Sequence, residues 1–405
     1  MNVIYMNRKK TRRKSRKYSR RKMIVRGGRL IGTGNSGCVF FPALPCDTDT
    51  SPNMVTKLMS KADGAREYDK LMKIKARMES IPNYRAYFVI DITRCKPIVP
   101  LNVECPVLEK KGINHSDLVA LNMPYGGISV SEFLRKGDDI VSNMRIVHHG
   151  LLELLRNGIV ELNRRNVYHG DVKDTNILVD DTALRLIDWG LSAEYDPRAR
   201  LQIPFLANNL PNVWRNRPLI FNAPFSIILF SDEFAMKYYH VGGETAEVLI
   251  PFIKEFVNAG KGRGHYEMIC QIMRVLFGHD IGESADSLAE PLLTAESIAD
   301  DFIVDYLVDV LVHFTEFDGV FINFKRYVDR VFTQLVDVWG LIMSYYPILE
   351  ILSQNPGSNG VQSKAFKQLQ FIFVEYLYTP RQESIDMDAL YGDLDIFGKL
   401  LGKIR

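Results

Sequence analysis

Three oxygen-bearing side chains, Asp171, Asn176 and Asp188, fall within one stretch, His169 to Gly190, that reads HGDVKDTNILVDDTALRLIDWG. Phosphoryl transfer needs a carboxylate to align and deprotonate the attacking hydroxyl. It also needs oxygen ligands for a divalent cation, set opposite that base. Asp171 has the type and place of the base. Asn176 offers a neutral ligand at the end of a loop, and Asp188, after a short apolar run, offers the anionic one. Lys173 is placed to neutralise charge on the group being transferred. His169 suits holding the loop better than doing chemistry. The order HxDxKxxN, then apolar–turn–apolar, then DxG is too specific for a chance run.

Two further features fit phosphate handling. Gly32, Gly34 and Gly37 form GxGxxG followed by Val39, between two predicted strands. Glycines let backbone lie close over phosphates. A dinucleotide-binding version would need a helix directly after them, but the strand-like CVFFPAL follows. A plain glycine hairpin is the bland alternative. Lys57, in VTK on the next strand, is a cation that could pair with phosphates if a carboxylate orients it. Glu67 is the candidate partner and Glu79 the second choice.

The elements that must position these residues are legible. Leu30 to Met59 reads as three strands, and Gly64 to Met78 as a helix with Tyr68, Leu71 and Met72 on one face. Apolar runs follow at Tyr87 to Ile92 and Leu118 to Met123, and Pro124 to Gly127 reads as a break between domains. Ile146 to Asn163 is a helix with Val147, Leu151, Leu154, Leu155 and Leu162 at helical spacing. Asn176 to Val179 and Leu184 to Ile187 read as strands joined by a turn at Asp180 to Thr182. From about Lys237 onward the pattern is mostly helical.

From about Leu30 to the C-terminus, with one long interruption, the chain resembles the eukaryotic-type protein kinase superfamily, and within it the divergent serine/threonine kinases of large DNA viruses. The resemblance implies a two-lobed α+β fold, with a β-rich N-lobe over residues 29–123 and a mainly helical C-lobe over 124–405. It implies ATP and Mg2+ (or Mn2+) as cofactors, protein substrates, and an ion pair between Lys57 and Glu67. Ile31, Val39 and the glycines would cover the nucleotide, with Met123 as gatekeeper and Tyr125 in the hinge. Asp171 and Lys173 would be catalytic, and Asn176 and Asp188 would ligate metal.

HGD and IDWG are also spellings of aminoglycoside- and choline-type phosphotransferases. Lys173, where those enzymes usually carry His, resembles protein kinases instead. FNAPF (Phe221 to Phe225) resembles the segment that ends the activation loop. Asp337 in DVWGL resembles the carboxylate that anchors the catalytic loop. The long stretch between these motifs implies a helical insertion at about 226–330. Three departures stand out, one of them Trp189 where the family usually carries Phe. Gly170 replaces the Arg that usually pairs with a loop phosphate, and Phe225 replaces a Glu whose usual partner would be Arg381. A small-molecule phosphotransferase and a pseudokinase scaffold remain the alternatives to a serine/threonine protein kinase.

Bulk properties bound these readings. The 405 residues are 46% hydrophobic and 24% charged, as in ordinary globular chains. No uninterrupted apolar run reaches the roughly 18 residues of a membrane span. Met23-Ile24-Val25 is too short for a signal-peptide core, so an intracellular protein is expected, in host cytoplasm or nucleus or packaged in a virion. Cys38, Cys46, Cys95, Cys105 and Cys270 show no CxxC or zinc spacing and read as reduced, mostly buried thiols. Arg8 to Lys22 holds 11 basic residues and no acid, so the remaining 40 basic against 48 acidic residues carry −8. Residues 1–28 therefore read as a disordered basic tail able to contact nucleic acid or anionic surfaces.

Overall fold

The structure, a computed structural model, describes residues 28–48, 51, 53–98, 104–137, 139–198, 209–239, 241, 245–278, 281, 293–318, 321–354, 360–379 and 382–404. The basic run and Arg381 lie outside them. Strands β1 (Arg29–Gly34), β2 (Gly37–Phe41), β3 (Met54–Ser60), β4 (Thr93–Cys95) and β5 (Leu118–Pro124) build one antiparallel sheet in the order β1-β2-β3-β5-β4. Register pairs Lys57 on β3 with Val39 on β2 and Leu121 on β5. Lys57 is half-buried in a central strand whose neighbours fix its direction.

Helix α1 (Lys61–Met78) crosses this sheet. Ser60 caps it by accepting from the Asp63 amide, and Lys75 and Arg77 occupy its last turn, each favourable to the helix dipole. Gly64 presses against Val119, whose Cγ1 would lie 2.3 Å from any added Cβ. That close approach brings the same face, three residues on, within reach of β3. The buried stripe is Gly64, Leu71, Ile74 and Met78. Met72, expected on it, is 39% exposed, because it falls off the 64–71–78 line by one residue.

Short α2 (Pro106–Lys110) leads toward β5 and packs on β2. Here the expectation of reduced thiols fails. Cys38 is bonded to Cys105 and Cys46 to Cys95, each pair with Cα atoms 5.8 Å apart; Cys270 is free and buried. The partners are 67 and 49 residues apart in sequence. Short-range spacing rules cannot see pairs that only the sheet order brings together.

Past Pro124 the chain pairs β6 (Ile128–Ser129) with β7 (Ile177–Asp180), and β7 with β8 (Ala183–Leu186). Asp181, at φ 54°, takes the left-handed turn position that Asp tolerates. Helix α3 (Ile140–Glu153) continues through a widened turn, Leu154–Ile159, to Asn163. Val147, Leu151, Leu154, Leu155 and Leu162 are all fully buried along it. Helices Asp232–Tyr239, Ala246–Gly260, Arg263–Phe277 and Ala295–Phe314 follow, then Thr333–Met343, Tyr346–Ser353, Gly360–Phe373 and Met387–Leu401. The β-rich first lobe and mainly helical second lobe make a two-lobed α+β fold. One helical stretch, Lys325–Ser353, is long and apolar enough by length and composition to cross a membrane, and 83% of that window is buried inside the protein. Asp337 and other polar residues interrupt it, so it is no apolar run in the sequence.

Candidate active site

A cleft of about 690 Å³ opens between the lobes. Ile31, Gly32, Gly34 and Val39 line it from β1 and β2, Lys57 from β3, Glu67 from α1, and Met123 and Tyr125 from the end of β5 and beyond. Leu178, Ile187 and Asp188 line it from the second lobe. Tyr125 stacks on Phe41 at 4.4 Å between centroids, stiffening the connection between lobes. Gly37, grouped with the other glycines on sequence, does not line the cleft. A Cβ there would meet the Leu58 carbonyl oxygen at 2.1 Å, so its role is strand packing. Gly34 has nothing within 4 Å of the Cβ position, which leaves room above the cleft.

Lys57 Nζ donates to both Glu67 oxygens, at 2.6 and 2.8 Å. Glu79 instead serves as the C-cap of α1. A second cleft cation escaped the sequence reading: Lys70, one turn past Glu67, donates to the Gly190 carbonyl at 2.7 Å. Burial lowers its pKa, while Glu67 and Asp188 act to raise it. Its i+3 spacing from Glu67 was the available signal.

Asp171 is held from three sides. Lys173 Nζ and Asn176 Nδ2 donate to its Oδ2 at 2.8 and 3.0 Å, and Asn222 Nδ2 donates to its Oδ1 at 2.9 Å. Asn222 stands in FNAPF, and nothing local in the sequence pointed to it. Asn176 spends its amide nitrogen on Asp171, so its oxygen is the atom left to ligate. The Ile187 amide bonds the Asn176 carbonyl at 2.9 Å, which ties Asn176 to the strand end that carries Asp188.

His169 is fully buried. Its Nε2 bonds the Ile187 carbonyl at 2.9 Å, and its Nδ1 faces the Asp171 amide at 3.3 Å. Burial depresses its pKa against the pull of Asp337 and Asp171, and a neutral ring can donate at one nitrogen and accept at the other. Beneath the loop lies Asp337. It accepts from the amides of His169 and Gly170 and from Asn163 Nδ2. Two more letters of DVWGL have work here. Trp339 Nε1 donates to the Phe221 carbonyl at 3.0 Å, and Gly340 meets Val172, whose carbonyl oxygen would lie 2.3 Å from a Cβ.

No protein-family model matches the chain, and no curated protein matches it. Among solved structures it is similar to the structure of vaccinia related kinase 3, at 13% identity and a TM-score of 0.32. That match covers 49% of this chain and 56% of the other.

These departures from the expected pattern have local settings. Gly170 sits at φ +71°, with the Leu191 carbonyl oxygen 2.8 Å from where a Cβ would stand. Phe225 is fully buried, with ring neighbours Tyr306, Trp339 and Tyr378. Packing anchors this segment, where the resemblance in sequence implied an ion pair. Trp189 packs edge-on to Phe88 and His169 and donates from Nε1 to the Val89 carbonyl at 3.2 Å.

Among the described residues no group of three or more His, Cys, Asp or Glu is arranged to hold a metal ion. The site instead offers one carboxylate, Asp188, and one amide oxygen, on Asn176. Magnesium commonly takes one or two protein oxygens and completes its shell with phosphate and water, so the residues fit a nucleotide-bound cation.

Proposed function

We propose that this chain is a serine/threonine protein kinase that moves the γ-phosphate of Mg-ATP to protein hydroxyls. The observation that carries the reading is the joint placement of two constellations. The Lys57–Glu67 pair and Asp188 face one cleft, and Asp171 is held beside it by Lys173, Asn176 and Asn222. Uniform retention of these groups favours an enzyme over a scaffold.

Each residue then has a task. Lys57, oriented by Glu67, binds nucleotide phosphates. Asn176 and Asp188 would hold magnesium, which when bound supplies charge neutralisation on the phosphates. Asp171 orients the attacking hydroxyl and accepts its proton. Lys173 bridges from Asp171 toward the transferred group and offsets charge there. Met123, Tyr125, Ile31 and Val39 form the apolar slot for the base.

Radiolabel transfer from ATP to casein, a basic protein and aminoglycosides tests this with the full chain. Labelled protein is expected, and Asp171→Asn should cut the rate by roughly 100- to 10,000-fold. Labelled aminoglycoside with unlabelled protein would establish the small-molecule alternative. No transfer to either, with partner binding indifferent to nucleotide, would establish the scaffold.

A further inference from the structure

A second cavity, of about 280 Å³, lies away from the nucleotide cleft. One wall is Asn216 to Leu219, the segment leading into FNAPF; the other is Phe256, Val257, Gly260 and Lys261 from the helical stretch beyond it. This wall is tied to the catalytic loop. Trp339 fixes the Phe221 carbonyl, Asn222 bonds Asp171, and Phe221 stacks on His265 at 5.7 Å. His265 opens helix Arg263–Phe277 and lies within the fields of Lys173, Asp171 and Arg217. His265 thus lies within electrostatic reach of both Asp171 and Arg217.

Its charges are unevenly paired. Lys261 bonds Asp300 at 2.8 Å, Glu233 bonds Lys237 at 3.1 Å, and neighbouring Arg215 and Arg263 reach Asp232 and Glu267. Arg217 has no hydrogen bond or ion pair among the described residues, and its Nε is buried without a partner. A half-buried guanidinium left unpaired costs folding free energy. Its planar fork suits a carboxylate or phosphate.

We propose that the Arg217 cavity is an anion subsite that selects protein substrates carrying an acidic or already phosphorylated side chain near the acceptor hydroxyl. This rests on the protein-kinase reading and adds a substrate class to it. Arg217 stands five residues before Asn222, so an extended substrate would place its anion within about five residues of the acceptor.

The test uses peptides with one acceptor serine and a single Asp, phosphoserine, Ala or Lys stepped along both flanks. Transfer from Mg-ATP by the full chain gives kcat/KM, and anisotropy of the same labelled peptides gives binding without catalysis. At one spacing the anionic peptide should exceed the Ala peptide by at least about tenfold. Arg217→Gln should collapse that ratio, and Arg217→Glu should turn it in favour of Lys, which loss of structure alone would not do. The better of Asp and phosphoserine identifies the source of the anion.

No preference for anionic peptides in either readout overturns the subsite, and so does a preference untouched in folded Arg217→Gln and Arg217→Glu. Phosphate transfer without charge preference sinks the subsite and leaves the kinase reading standing. Arg217-dependent binding of anionic peptides without transfer keeps the subsite and sinks the kinase reading.

Discussion

The Asp337 carboxylate accepts the backbone amide hydrogen of His169 at 2.8 Å across a sequence separation of 168 residues. Its second oxygen takes the Gly170 amide, also at 2.8 Å, and Asn163 adds a third donor at 2.7 Å. A buried carboxylate with three donors is fully accommodated, and its removal takes the acceptor from the buried His169 amide and from the half-buried Gly170 amide and Asn163 side chain at once. Asp337→Ala should therefore cost about 3–5 kcal/mol of stability, roughly 1–1.5 kcal/mol for each lost bond. Equilibrium urea unfolding measures this, and a loss under about 1 kcal/mol would show that the loop holds itself. Asp337→Asn, keeping one acceptor, should fall between.

That relationship also shows what a sequence exposes. Asp337, Trp339 and Gly340 lie in a five-letter motif, and each letter answers to a contact with residues 169–172 or 221. The strand–turn–strand after Asn176 was equally legible, because alternation and an Asp-rich turn are local signals. Asn222 was not, because an Asn beside Asp171 becomes visible only when the chain returns 51 residues later. The disulfides were misread for the same reason. Three glycines in one motif look alike, and only tertiary packing separates Gly37, against Leu58, from Gly32 and Gly34 over the cleft.

Gly170 gives the second prediction. Its positive φ and the nearby Leu191 carbonyl mean that no larger residue fits without strain. Gly170→Arg should destabilise by about 1–2 kcal/mol, not restore control by a loop phosphate. The segment after Asp188 is instead held by unmodified groups of α1, with Lys70 on the Gly190 carbonyl and Arg77 on Glu194 at 3.2 Å. Phosphatase-treated protein should keep its transfer rate. A fall of more than about tenfold would show that a phosphate does what these contacts were assigned.

The disulfides give the third. Peptide mapping without reductant should recover Cys38 linked to Cys105 and Cys46 linked to Cys95. Each closes a long loop, so reduction should cost about 2–4 kcal/mol per bond. The segment at Cys105 also steadies the glycine turn, since Lys111 Nζ donates to the Asn35 carbonyl at 2.8 Å. Cys105→Ser should thus weaken ATP binding as well as stability, read by titration of a fluorescent nucleotide. Alkylation of all five cysteines in unreduced protein unfolded in denaturant would overturn the pairing.

His148 sets the fourth, a pH dependence. It is 8% exposed, with Tyr345 Oη 3.2 Å from Nδ1 and the Phe397 ring edge-on at 5.3 Å. Burial, then His149, push its pKa from 6.5 down to about 4, with Asp395 opposing weakly. A histidine depressed in the folded state stays neutral there while the unfolded chain takes up a proton. Stability is then full above pH 6.5 and is lost as pH falls toward 4, by about 2 kcal/mol at pH 5. Buried His169 adds loss of the same sign, whereas Asp305 and Asp309, raised by burial, act in the opposite sense. The informative quantity is therefore the difference between wild type and His148→Gln in urea unfolding from pH 7.5 to 5. The variant should lose less stability on acidification, by up to about 1.4 kcal/mol per pH unit below 6.5. Parallel curves would mean that His148 gains its proton in the folded state as readily as in the unfolded one.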